Sequence, residues 1–64
     1  MAKNEIMKLL INVPVGQTIQ IRPFASRRTF TLLRHGDDEW HYNRSQTNTE
    51  AVADAFVYYH WTVA

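Results

Sequence analysis

The chain has 64 residues, and a domain this short buries only about 60% of the surface its unfolded chain exposes, so one small α+β domain spanning 1–64 is the expected organisation. With no cysteine, disulfide staples and thiolate chemistry are excluded, which fits a reducing, cytoplasmic setting. The hydrophobic fraction of 45% and charged fraction of 20% describe a globular chain, and the net charge of +1 names no partner by itself. The apolar stretch Ile6–Val13 is interrupted by Lys8 and Asn12 and falls far short of the roughly 20 residues a bilayer crossing needs. No secretory signal and no membrane association are expected.

Ile6, Leu9, Leu10 and Val13 fall at i, i+3, i+4 and i+7, one face of a helix. A helix from Asn4 to Ile11 follows, with Asn4 as its cap, Glu5 in the first turn and Pro14 beyond its end. Met7, Leu9, Ile11 and Val13 also alternate as a strand would, so a first strand is the alternative. Pro14-Val15-Gly16-Gln17 reads as a turn.

Thr18–Phe24 alternates as a strand, with Ile19 and Ile21 on one face, Gln20 and Arg22 on the other, and Pro23 limiting its end. Thr29–Arg34 and Glu39–Arg44 form two further strands joined across His35-Gly36-Asp37-Asp38. A tight two-residue turn would mix apolar and polar residues on both faces of this hairpin. A register shifted by one residue groups Phe30 and Leu32 with Trp40 and Tyr42, and sets Thr31 and Leu33 beside His41 and Asn43. That register demands an irregular turn or a bulge.

Thr47-Asn48-Thr49-Glu50 matches a capping box with Thr47 as cap, ahead of a helix over 48–62. Val52, Ala55, Phe56, Tyr59 and Val63 make its main apolar stripe, and Val57, Tyr58 and Trp61 a second strip beside it. The expected architecture is α-β-β-β-α in two layers, with both helices on one sheet face, or β-β-β-β-α if the first segment is a strand. The expected core is Ile6, Leu9, Leu10, Ile19, Ile21, Phe30, Leu32, Trp40, Tyr42, Val52, Phe56 and Tyr59.

Charge is distributed unevenly. From Val13 to Gly36 the formal charges are Arg22, Arg27, Arg28 and Arg34, with no acid, and Asp37, Asp38 and Glu39 follow at once. Arginine suits bidentate contact with phosphate. Arg22, Arg27 and Arg28, with Arg34 and Arg44 assisting, are candidate phosphate contacts, and Phe24 a candidate platform for a base. The plainer reading of the same loop is a solvated segment whose arginines protect a strand edge. The strip Val57, Tyr58 and Trp61 is a candidate interface with another protein or a second copy of the chain. The plainer reading is that it packs on the first helix.

His35, Asp37, Asp38, Glu39 and His41 supply ligand and acid-base residue types, but without any established ligand spacing and in what reads as ordinary turn chemistry. No metal, cofactor or catalytic residue is therefore assigned. Ser26 and Ser45 lack a nucleophile elbow, and two glycines cannot build a phosphate-cradling loop.

The order helix, three strands, helix resembles that of double-stranded-RNA-binding domains and of small toxin–antitoxin components. The RNA-binding family carries a lysine cluster at the start of its last helix, where Thr47–Val52 here has no basic residue. No family is assigned on that order, and no functional residue is carried over. The expected function is a small, non-enzymatic regulatory protein that binds nucleic acid through an arginine-bearing sheet face and loop. The alternative is a protein-interaction module, an inhibitor or homodimer, that uses the aromatic last helix.

Overall fold

In a computed structural model, which describes residues 2–64, the chain forms two helices over one face of an antiparallel sheet. Helix α1 spans Lys3–Ile11, and strands β1 (Thr18–Arg22), β2 (Phe30–Gly36), β3 (Glu39–Tyr42) and β4 (Ser45–Thr47) follow. Helix α2 spans Thr49–Tyr58, and a last strand β5 covers Thr62–Val63. The five strands are ordered β4-β3-β2-β1-β5. The fold is α+β with both helices in place, but the sheet has five strands where three were expected.

The first segment is a helix, not a strand. Ala2 is its N-cap, and the Ala2 carbonyl accepts from the backbone N–H groups of Glu5 and Ile6, so the cap lies two residues before the expected Asn4. Ile6 and Leu10 bury one face, as the i, i+4 spacing requires. Lys3 pairs with Glu50 at 3.1 Å and Asp54 at 3.0 Å on α2. Its hydrogen bonds to Asp54 and Glu50 hold its ammonium pKa above the ordinary lysine value. After α1 the Gln17 N–H donates to the Pro14 carbonyl at 3.0 Å, closing the expected turn. Gly16 there has φ +90°, a conformation that favours glycine.

The β2–β3 register is the shifted one. Leu32 faces Tyr42, Leu33 faces His41 and Arg34 faces Trp40, with a bulge between Arg34 and Gly36. This pairing puts Phe30, Leu32, Trp40 and Tyr42 on the helix-covered face. The third strand stops two residues early, because Asn43 takes φ +57° and turns the chain into β4. Asparagine tolerates that left-handed conformation better than most residues.

Helix α2 departs from expectation at both ends. Its cap is Asn48, whose side-chain oxygen accepts from Ala51 N–H at 2.8 Å, while Thr47 belongs to β4 and Glu50 is engaged by Lys3. The helix ends at Tyr58 rather than Thr62. The Trp61 N–H donates to the Phe56 carbonyl at 3.1 Å, His60 takes φ +54°, and the Trp61 and Phe56 rings meet edge-on at 5.7 Å. These are the bond, the left-handed residue and the apolar contact of a Schellman stop, with histidine where glycine is usual. The chain then pairs Thr62 with Arg22 and Val63 with Ile21.

The buried core is Ile6, Leu10, Ile21, Leu32, Trp40, Val52, Ala53 and Phe56, with Leu9, Ile19, Phe30, Tyr42 and Trp61 packed against it. Tyr59 is a correction: it lies beyond the helix, at its cap, and is 58% exposed. Ala53, absent from the expected core, is fully buried and belongs to the core cluster.

Candidate functional site: the arginine-bearing end of the sheet

The strand register divides the expected arginines between the two ends of the sheet. Ile21 faces Phe30, Leu32 faces Tyr42, Tyr42 faces Ser45 and Arg22 faces Thr62. The end of β1, the start of β2, the β3–β4 turn and the start of β5 therefore meet at one end. Arg22 lies there at the end of β1, Arg27 and Arg28 in the β1–β2 loop, and Arg44 in the β3–β4 turn. All four are exposed, and none has an ion-pair partner among the described residues. Asp37, Asp38 and Glu39 occupy the other end, around the β2–β3 turn. A chain of net charge +1 is thereby polarised along its sheet.

Aromatic rings share the basic end. Phe24 is 77% exposed and its ring lies 5.9 Å from that of His60, which joins the β1–β2 loop to the stop of α2. Tyr58 is 76% exposed and packs edge-on against Tyr59, 4.8 Å away. Tyr59 in turn stacks on Trp61 at 6.2 Å.

The loops here are held in shape. The Ser26 N–H donates to the Pro23 carbonyl at 3.0 Å, and Ser26 Oγ accepts from Arg28 N–H at 3.1 Å. Ala25, Asn43 and His60 are the non-glycine residues with positive φ among the described residues, and all three lie at this end. Left-handed alanine carries a cost of roughly 1–2 kcal/mol, the kind of local strain that recurs at working surfaces.

Arg34 does not join this group. It faces Trp40 on the helix-covered side. Its Nη1 donates to the carbonyls of Ile11 at 2.9 Å and Val13 at 2.7 Å, and its Nη2 to that of Asp37 at 2.7 Å. It thus closes the C-terminal end of α1 and ties it to the β2–β3 turn, a structural task for a forked cation.

The open sheet face carries the one arginine expected of it. Its arginine is Arg22, and it also presents Thr18, Gln20, Thr31, Leu33, Glu39 and His41. Gln20 donates to Thr31 Oγ1 across the strands at 3.0 Å. The charge lies at the end of the sheet and not across its face.

Asp38 is occupied elsewhere. It accepts the backbone N–H of Thr49, the first residue of α2, at 3.0 Å. That bond, with a lesser contribution from the Thr49 hydroxyl and from the Arg34 charge, holds its carboxyl below the ordinary aspartate value. His35, Glu39 and His41 do converge on the open face, next to the bulge. His35 Nδ1 lies 2.8 Å from Glu39 Oε2, and the two imidazole rings stack with centroids 4.5 Å apart.

Val57 and Trp61, from the expected interface strip, help line an apolar groove of about 520 Å³ with Ile6, Leu9, Phe56 and Val63. Tyr58 does not line it. No helix of the described residues is long and apolar enough to cross a membrane. Comparison with protein-family models, with curated proteins and with solved structures found no match for this chain.

Proposed function

We propose that this is a small, non-enzymatic regulatory protein that binds nucleic acid through the arginine-bearing end of its sheet. One observation carries the reading: Arg22, Arg27, Arg28 and Arg44, all exposed and unpaired among the described residues, share one end with the exposed ring of Phe24, while the acidic turn sits at the other. Phosphate contacts by arginine supply affinity that does not depend on base identity. Exposed aromatic rings beside them favour single strands, because stacking needs bases that are not already stacked in a duplex.

The test is fluorescence anisotropy of labelled single-stranded and duplex oligonucleotides at several salt concentrations. Binding that weakens steeply with salt, and is stronger for the single strand, supports the reading. Absence of binding at low salt ends it.

A second reading, a protein-interaction module, is supported by the apolar groove that Val57 and Trp61 line. Light scattering at micromolar concentration tests its homodimer form, and a monomer at all concentrations removes that form.

A further inference from the structure

We propose that His35, Glu39 and His41 form a binding site for a single zinc-class divalent ion on the open face of the β2–β3 hairpin. No motif spacing announces it; the bulge creates it. Glu39 and His41 lie two residues apart on β3 and project to the same face. The register break between Arg34 and Gly36 brings His35 alongside them from β2.

The geometry suits one ion. One ligand atom from each residue can be chosen so that all three lie within 4.8 Å of one another. Bonds of about 2.1 Å in a tetrahedral array place ligand atoms roughly 3.4 Å apart. The two separations to Glu39 Oε2, 2.8 Å from His35 Nδ1 and 3.7 Å from His41 Nε2, bracket that spacing. The His35 and His41 rings stack almost parallel with centroids 4.5 Å apart, so one ring must turn out of the stack for both in-plane lone pairs to meet a single ion.

A second observation points to the same place. The His41 side chain is 33% exposed, but its Nε2 atom is enclosed and has no hydrogen-bond partner among the described residues. An unsatisfied buried nitrogen is uncommon and calls for a cause. Here it lies 3.7 Å from a carboxylate oxygen, where an ion would bind both. The ion would take the place of the proton held between His35 Nδ1 and Glu39, with the His35 proton moving to Nε2.

Two imidazoles and one carboxylate are borderline ligands, which favour zinc, nickel or copper over magnesium or calcium. With three protein ligands, water completes the coordination. Glu39 and His41 belong to β3 and His35 to β2, so the ion would lock the bulged turn. This site stands apart from the arginine-bearing end, so its fate and that of the nucleic-acid reading are independent.

The test is calorimetric titration of the folded protein with zinc chloride alone, and with magnesium chloride for comparison. One zinc per chain and no magnesium uptake are expected. Losing a ligand should weaken zinc by at least the roughly tenfold that losing a partner of a ligand costs, so H35A, E39Q and H41A each bind about tenfold weaker or worse. H60A, which removes the remaining histidine, binds zinc unchanged. If a variant fails to fold, imidazole NMR signals of the unaltered protein decide: zinc should move those of His35 and His41 and leave His60 in place. Absence of saturable zinc binding, binding that survives in H35A/H41A, or a shift of His60 alone overturns the proposal.

Discussion

The ring of Phe24 lies 5.9 Å from the ring of His60, so the β1–β2 loop and the stop of α2 meet at one end of the sheet. Both residues owe their positions to left-handed neighbours or to their own left-handed backbone, Ala25 at φ +60° and His60 at φ +54°. The contact gathers an exposed aromatic surface beside Arg22, whose strand partner is Thr62.

Phe24 contributes little to the core because 77% of it is exposed. Phe24→Ala should therefore leave the urea midpoint nearly unchanged. If a base stacks on this ring, the same change weakens single-strand binding by about 1–3 kcal/mol. Anisotropy titrations of the two proteins at one salt concentration measure it.

Arg34 should behave in the opposite way. Its guanidinium donates to three carbonyls, those of Ile11, Val13 and Asp37. Arg34→Ala should destabilise the fold by about 2–3 kcal/mol, given that such charge-assisted bonds are partly exposed and not additive. Arg34→Lys should recover little, because an ammonium cannot match the fork. Nucleic-acid affinity of the folded fraction should not change. Chemical denaturation and anisotropy together separate these outcomes.

The buried Trp40 indole N–H donates to Thr49 Oγ1 at 2.9 Å, and both residues are almost fully enclosed. Thr49→Val keeps the shape and removes the acceptor. The stranded indole N–H should cost about 1–3 kcal/mol. Thr49→Ser keeps the hydroxyl and should cost less, as urea unfolding followed by tryptophan fluorescence would show.

Asp38 links this region to pH. Its carboxyl sits below the ordinary value of 3.8 because it accepts the Thr49 N–H. A depressed folded-state pKa contributes stability that is fully present above the unfolded value. That contribution is lost as pH falls below about 3.8 and through the folded value. Between neutral pH and strongly acidic pH, Asp38→Asn should therefore lose less stability than the unaltered protein. Urea midpoints measured across that range for both proteins check the difference.

Much of this fold is legible in residue patterns, and the exceptions have specific causes. The shifted β2–β3 register follows from side-chain parity, since it alone groups Phe30, Leu32, Trp40 and Tyr42. The first helix follows from Ile6 and Leu10. The stop of α2 is hidden because His60 stands where a glycine would have signalled it. Thr62 and Val63 are β-branched, which is the one local hint of β5. The cap moved from Thr47 to Asn48 because Thr47 pairs with Trp40 in the sheet, a tertiary demand no four-residue pattern reveals.

The candidate site was partly legible in the same sense. Acid-free arginine in the middle of the chain is visible in one dimension. That Arg44 joins Arg22, Arg27 and Arg28, while Arg34 is withdrawn to the carbonyls of α1, depends on which strand ends coincide. The His35–Glu39–His41 cluster needs the bulge as well, so no spacing rule could find it.

The most direct measurement of the central claim is the salt dependence of single-strand binding, compared between the unaltered protein and a variant with Arg22, Arg27, Arg28 and Arg44 replaced by alanine. If all four contact phosphates, the logarithm of affinity should fall against the logarithm of salt with a slope of about −3, from roughly −0.7 per contact. The fourfold variant should lose most of that slope while keeping its fold by circular dichroism. A slope near zero in the unaltered protein, or a slope that the four substitutions leave intact, would contradict the account.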